Sequence, residues 1–150
     1  MKRAIFPGTF DPFTIGHYNL VMRGLDIFDE IIIGIGVNLS KKTLFDAGKR
    51  IDIIRQAFSN EPRVRVMTYD SLTVDFAASV EAKYILRGLR TVSDFEYEHT
   101  IANANRQLNG LETVLLFTET EYSFISSTVV RDLIAYRKDI TAFLPPHVKL

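Results

Sequence analysis

Cysteine is absent from the 150 residues. A disulfide framework, a thiolate metal site and a cysteine nucleophile are therefore excluded. An excess of either charge is also missing: Lys and Arg number 18, and Asp and Glu number 18. A dedicated nucleic-acid binder normally carries a basic excess, because phosphate neutralisation dominates that affinity. The balance argues against a DNA or RNA partner, but leaves room for a local basic pocket. No apolar run approaches the roughly 20 residues that a membrane-spanning helix needs, and the first residues do not read as a secretory signal. The expectation is a cytoplasmic protein without a membrane partner. Several catalytic signatures are missing too. No nucleophile elbow, metal-ligand spacing or Walker loop occurs, so no resident metal site is expected. Gly34-x-Gly36 lies inside a strand-like run rather than after one, which makes it a poor dinucleotide fingerprint.

What is present is a globular pattern, with 47% hydrophobic residues, in a length suited to one domain over 1–150. Apolar runs at 2–6, 30–38, 64–69, 83–88 and 113–117 read as strands. Between them the spacing predicts helices: Gly16 to Phe28; a segment capped by Asp46 with Ile51 and Ile54 on one face; Leu72 to Val80; Ser93 to about Leu108; and Ser127 to Arg137. Ser93 with Glu96 reads as a capping box, and Asn109-Gly110 as a stop. Five strand–helix alternations imply an α/β, Rossmann-like three-layer fold: a five-stranded parallel sheet with helices on both faces. Such sheets bind ligands beyond the carboxyl ends of their strands.

The loops at those ends hold the chemistry. In Pro7-Gly8-Thr9-Phe10-Asp11-Pro12, Thr9 offers a hydroxyl and an amide, and His17 sits in the first turn of the following helix. A helix N-terminus attracts anions through unpaired N–H groups and the dipole. A lone histidine there is more often solvated or internally bonded, but within Gly-Thr-Phe-Asp-Pro…Thr-x-Gly-His the phosphate reading is favoured. Lys41-Lys42 is either a solvated patch or a mobile charge for phosphate. Arg87-Gly88-Leu89-Arg90 offers two guanidinium forks, with pairing to Asp94 or Glu98 as the plainer alternative. Ser126, Ser127 and Thr128 open the last helix with more hydroxyls than one cap needs, and Arg131 lies one turn on. This inventory suits phosphoryl or nucleotidyl transfer by positioning and charge stabilisation.

Pro7-Gly8-Thr9-Phe10-Asp11-Pro12…Thr14-x-Gly16-His17, Arg87-Gly88-Leu89-Arg90, Asp94-Phe95-Glu96-Tyr97-Glu98 and Ser123-Phe124-Ile125-Ser126-Ser127 together resemble the bacterial phosphopantetheine adenylyltransferases. The resemblance runs almost end to end. It implies transfer of the adenylyl group of ATP to 4′-phosphopantetheine, giving dephospho-coenzyme A and pyrophosphate. It also implies Mg²⁺ carried with ATP and a homohexamer; coenzyme A, which would share both half-sites, is a candidate feedback inhibitor. By matching positions, His17, Thr9, Lys41 and Arg90 would carry catalysis. Thr9, Phe10, His17, Gly88, Leu89, Arg90, Glu98, Tyr122, Ser123, Phe124, Ile125, Ser126, Ser127 and Thr128 would contact ATP. Thr9, Lys41, Thr73 and Arg87 would contact the second substrate. Phe6 and Tyr122 stand where the family commonly has tyrosine and tryptophan. The alternatives are a related transferase with another acceptor, such as nicotinamide mononucleotide, and a non-catalytic nucleotide-binding module.

Overall fold

The computed structural model describes residues 1–150. Five strands, β1 (Arg3–Gly8), β2 (Glu30–Gly36), β3 (Val64–Tyr69), β4 (Tyr84–Leu89) and β5 (Glu112–Phe117), form one parallel sheet in the order β3-β2-β1-β4-β5. Five helices connect or follow them: α1 (Ile15–Gly24), α2 (Ala47–Ala57), α3 (Thr73–Ser79), α4 (Val92–Asn109) and α5 (Ser127–Ala135). This is a Rossmann-like α/β fold. The chain moves outward from β1 to β3, then crosses back to place β4 on the other side of β1. Two connections thus leave the carboxyl ends of β1 and β4 in opposite directions and open a crevice there.

The apolar run of β2 is explained by burial on both faces. Side chains alternate across the sheet. Ala4 and Phe6 of β1, with Ile31, Ile33 and Ile35 of β2, join residues of α1 and α2 in one core cluster. Ile5, Ile32 and Ile85 point the other way and join Val74, Phe76 and Ala77 of α3 in a second. A small third cluster, including Ile125, Val130, Ile140 and Leu144, seats α5 beyond the sheet. No helix is long and apolar enough to cross a membrane.

Several helix boundaries differ from expectation: α3 is one residue shorter at each end, and α5 stops at Ala135 rather than Arg137. The cap of α4 is Thr91, not Ser93: Thr91 Oγ1 accepts from Asp94 N–H at 3.1 Å. Thr91-x-x-Asp94 satisfies the same capping pattern as Ser93-x-x-Glu96. The earlier start also lets the Asp94 carboxylate accept from Arg90 N–H at 2.9 Å, which ties the strand exit to the helix. Helix α1 ends at Gly24 rather than Phe28, because the amides of Asp26 and Ile27 bond three residues back, to the Arg23 and Gly24 carbonyls, instead of four. Gly110 closes α4 with φ 70°, the left-handed conformation that suits glycine.

Gly34 in β2 faces the stacked rings of Tyr69 and Phe76, whose centroids lie 4.4 Å apart. A Cβ at Gly34 would come within 2.6 Å of Phe76 Cε1. Gly34→Ala is therefore expected to destabilise the fold by about 1–3 kcal/mol, the usual cost of overpacking. Thermal unfolding checks this, and an unchanged Tm contradicts it.

Candidate active site

Beyond β1 and β4 lies a cavity of about 470 Å³, whose walls come from the four chain segments around residues 6–20, 41–44, 87–98 and 118–131. A second cavity of about 210 Å³ adjoins it, and the two share Pro7, Gly8, Arg87 and Glu98.

His17 is the third residue of α1. Thr14 caps that helix: its Oγ1 accepts from His17 N–H at 3.4 Å. In return, Thr14 N–H donates to His17 Nδ1 at 3.0 Å. Nδ1 is thereby an acceptor, so the ring proton resides on Nε2. The rings of Phe6, Phe10 and Phe13 surround the imidazole at centroid separations of 6.1, 5.0 and 5.2 Å. Burial, then the charges of Arg87 and Arg90, push its pKa down to about 3. At neutral pH, His17 is a neutral hydrogen-bond donor and not an imidazolium acid.

Thr9 follows β1 directly, and its Oγ1 accepts from Lys41 Nζ at 3.1 Å. The lysine loop is held in place by Asp11, whose buried carboxylate accepts from Leu44 and Phe45 N–H, each at 2.8 Å. Phe10 is among the residues that line the cavity. Its side chain is buried among Phe6, Phe13 and His17, and its φ of 52° is unusual for an aromatic residue.

Arg87 is fully engaged. Nε and Nη2 bond the Glu98 carboxylate, with the shortest separation 2.7 Å, and Nη1 donates to Pro7 O at 2.8 Å. The pair forms part of the partition between the cavities. Arg90 is more exposed and lies 3.6 Å from Asp94. Gly88 lines the large cavity; Leu89 lines neither. Thr73 lines the smaller one, 3.2 Å from the Tyr69 hydroxyl.

At the start of α5 all three hydroxyls bond within the protein. Ser126 Oγ accepts from Val129 N–H as the helix cap. Ser127 Oγ donates its proton to Pro12 O at 2.8 Å. Thr128 Oγ1 accepts from Arg131 Nη2 at 3.1 Å. Ser126 and Thr128 keep their own O–H protons, whereas that of Ser127 is spent. Tyr122 and Ile125 line the cavity, but Ser123 and Phe124 do not. Ser123 Oγ bonds Thr120 O, and the exposed Phe124 ring meets Phe143.

Asp11, Lys42, Asp94 and Arg131 also line the cavity. Lys42 and Arg131 are candidates for this cluster on the sequence alone, and Asp11 and Asp94 stand inside the motifs quoted above. Lys41, Lys42, Arg87, Arg90 and Arg131 face only Asp11, Asp94 and Glu98, and each of those carboxylates already accepts protein N–H bonds. A chain of zero formal net charge thus builds a locally basic, donor-rich cavity. Such a cavity complements the phosphates of a nucleotide.

Residues 5–133 match the cytidylyltransferase-like family, and the chain belongs to it. The fold is shared with the crystal structure of a bifunctional NMN adenylyltransferase/ADP ribose pyrophosphatase from Francisella tularensis. That likeness has a TM-score of 0.76 at 13% identity and covers 97% of this chain and 45% of that one. Far more similar in sequence are the phosphopantetheine adenylyltransferases of Phocaeicola vulgatus and Bacteroides fragilis. They are 59% and 57% identical over 150 residues, covering all of this chain and 99% and 100% of theirs. Within the cytidylyltransferase-like family, the chain belongs to the phosphopantetheine adenylyltransferases.

His17 gives a direct prediction. Its folded pKa lies below that of the unfolded chain, which therefore takes up a proton first on acidification. The stability linked to His17 is constant above about pH 6.5 and falls as pH drops toward 3. Nitrogen-15 NMR of the ring should show an Nε2–H tautomer that does not titrate between about pH 8 and 5. A midpoint near 6.5 contradicts the assignment.

Proposed function

We propose that the protein transfers the adenylyl group from ATP to 4′-phosphopantetheine, giving dephospho-coenzyme A and pyrophosphate, the penultimate step of coenzyme A synthesis. The observation that carries this reading is the convergence of Thr9, His17, Lys41, Arg90 and the start of α5 on one cavity, in a chain 59% identical end to end to a phosphopantetheine adenylyltransferase.

The donors act on charge rather than on bonds. An oxygen of the acceptor phosphate attacks the α-phosphorus of ATP in line. The bond from the α-phosphorus to the bridging oxygen breaks, and pyrophosphate leaves with that electron pair. The attacking phosphate is already ionised, so no general base is needed, which agrees with a histidine too weakly basic to take up a second proton at neutral pH. His17 Nε2–H donates to an α-phosphate oxygen as negative charge grows there. Lys41, held at Thr9, neutralises charge between the two substrates. Arg90 and the free N–H groups of Ser127 and Thr128 meet the β- and γ-phosphates. Mg²⁺ enters as part of the nucleotide substrate, held by phosphate oxygens and water. The cavity's surplus of cationic side chains fits phosphate oxygens better than a protein-held cation.

The smaller cavity, beside Arg87 and Thr73, suits the pantetheine arm. The two cavities share Pro7, Gly8, Arg87 and Glu98, so coenzyme A would reach into both, which supports product inhibition. Val92, Phe95, Ile101 and Leu108 leave apolar surface exposed on α4, which supports self-association of the chain into a hexamer.

Incubation with ATP, 4′-phosphopantetheine and Mg²⁺ should release pyrophosphate, and no release by folded protein ends the proposal. His17→Ala should lower kcat by ~10²–10³, the loss typical of one such donor, while ATP binding weakens far less. Reduced binding with kcat intact contradicts the role given to His17.

A further inference from the structure

Arg50 is a buried charge that the reaction above does not use. It lies in the first turn of α2, is only 4% exposed, and lines neither cavity. It forms no ion pair. Its guanidinium instead donates to two backbone carbonyls: Nε to Phe45 O at 3.1 Å and Nη1 to Thr9 O at 2.9 Å. Burying a guanidinium without a counter-charge is costly.

The bond to Thr9 O has a geometric consequence. In a trans peptide, the carbonyl of one residue and the N–H of the next point in opposite directions. The Thr9–Phe10 peptide is trans, since the only cis bond is Asp11–Pro12. With Thr9 O turned to Arg50, the Phe10 N–H points away from Arg50, in a residue that lines the cavity. That N–H has no acceptor in the protein. Phe10 also sits at φ 52°, so this orientation is not the resting preference of the chain and has to be held. The neighbouring carbonyls are occupied as well: Asp11 O accepts from Arg131 Nη1 and Pro12 O from Ser127 Oγ, each at 2.8 Å.

We propose that Arg50 is a positioning residue, which fixes the Thr9–Phe10 peptide so that the Phe10 N–H faces the cavity as a hydrogen-bond donor to a nucleotide phosphate. The inference rests on the reading that ATP occupies this cavity. Arg50 also fastens the lysine loop to the same point, because Phe45 O and Thr9 O share one guanidinium while Lys41 reaches Thr9 Oγ1. One buried side chain thus sets the spacing between a backbone donor and a mobile cation.

Two measurements test it. Pyrophosphate release is followed for Arg50→Gln and Arg50→Lys with Mg²⁺-ATP and 4′-phosphopantetheine. Arg50→Gln should lose ~10²-fold in kcat, the typical effect of one misplaced donor. Its KM for 4′-phosphopantetheine should stay within about threefold of the parent. Arg50→Lys, which keeps a charged donor for one carbonyl, should recover part of kcat. The second measurement uses the unaltered protein labelled with nitrogen-15 phenylalanine. Addition of α,β-methylene-ATP should move the Phe10 amide proton downfield and slow its exchange with solvent. A folded Arg50→Gln protein with unchanged kcat overturns the proposal, as does a Phe10 amide that ignores bound nucleotide. The second readout decides even if the variants do not fold. Absence of pyrophosphate release by the parent protein would count against the functional reading instead, and the Phe10 response would still judge this one.

Discussion

The 3.0 Å bond from Thr14 N–H to His17 Nδ1 fixes the chemistry of the site. It satisfies an amide at the start of α1 and at the same time decides which ring nitrogen carries the proton. Three phenylalanine rings and two arginines then keep the imidazole neutral. A donor of this kind needs no reorganisation as charge builds on a phosphate oxygen, and its protonation does not compete with its role. The same contact is a helix cap, so part of the catalytic geometry is also part of what starts the helix.

The rest of the site follows from a second constraint. A phosphate cradle must leave N–H groups unpaired in a partly buried place, where unpaired groups are costly. The end of β1 and the loop after it meet this by occupying their carbonyls within the protein: Pro7 O with Arg87, Thr9 O with Arg50, Asp11 O with Arg131 and Pro12 O with Ser127. Three arginines thus serve the backbone. Charge follows the same logic: the carboxylates lining the cavity are occupied by amides or by Arg87, and the positive groups keep the cavity's sign.

Much of this was legible in the sequence. Strand–helix alternation with β-branched runs is a strong signal for a parallel sheet, and β3 has the bounds read from the sequence alone. The loops worth inspecting followed from the sheet rule, and Thr9, His17, Lys41, Arg87 and Arg90 do meet around one cavity. Spacing could not show which atoms are already spent. Ser126, Ser127 and Thr128 look equivalent in the sequence, yet Ser127 has given its proton to Pro12. Pairing of the two arginines with Asp94 and Glu98, the plainer alternative read from the sequence, does occur: Arg87 meets Glu98 where β4 and α4 pack together, and Arg90 lies beside Asp94. Arg50 carries no motif at all, because its partners are carbonyls that any residue could supply. The Thr91 cap was missed because two capping patterns overlap, and local periodicity does not choose between them.

The central claim is that a neutral, pre-positioned imidazole and its neighbours meet the α-phosphate without rearrangement. A crystal structure with α,β-methylene-ATP tests it most directly. The account predicts His17 Nε2 within ~3.2 Å of an α-phosphate oxygen, with the Thr14 N–H to Nδ1 bond retained. A ring rotated away from the nucleotide, or a nucleotide seated outside the β1–β4 crevice, would contradict it.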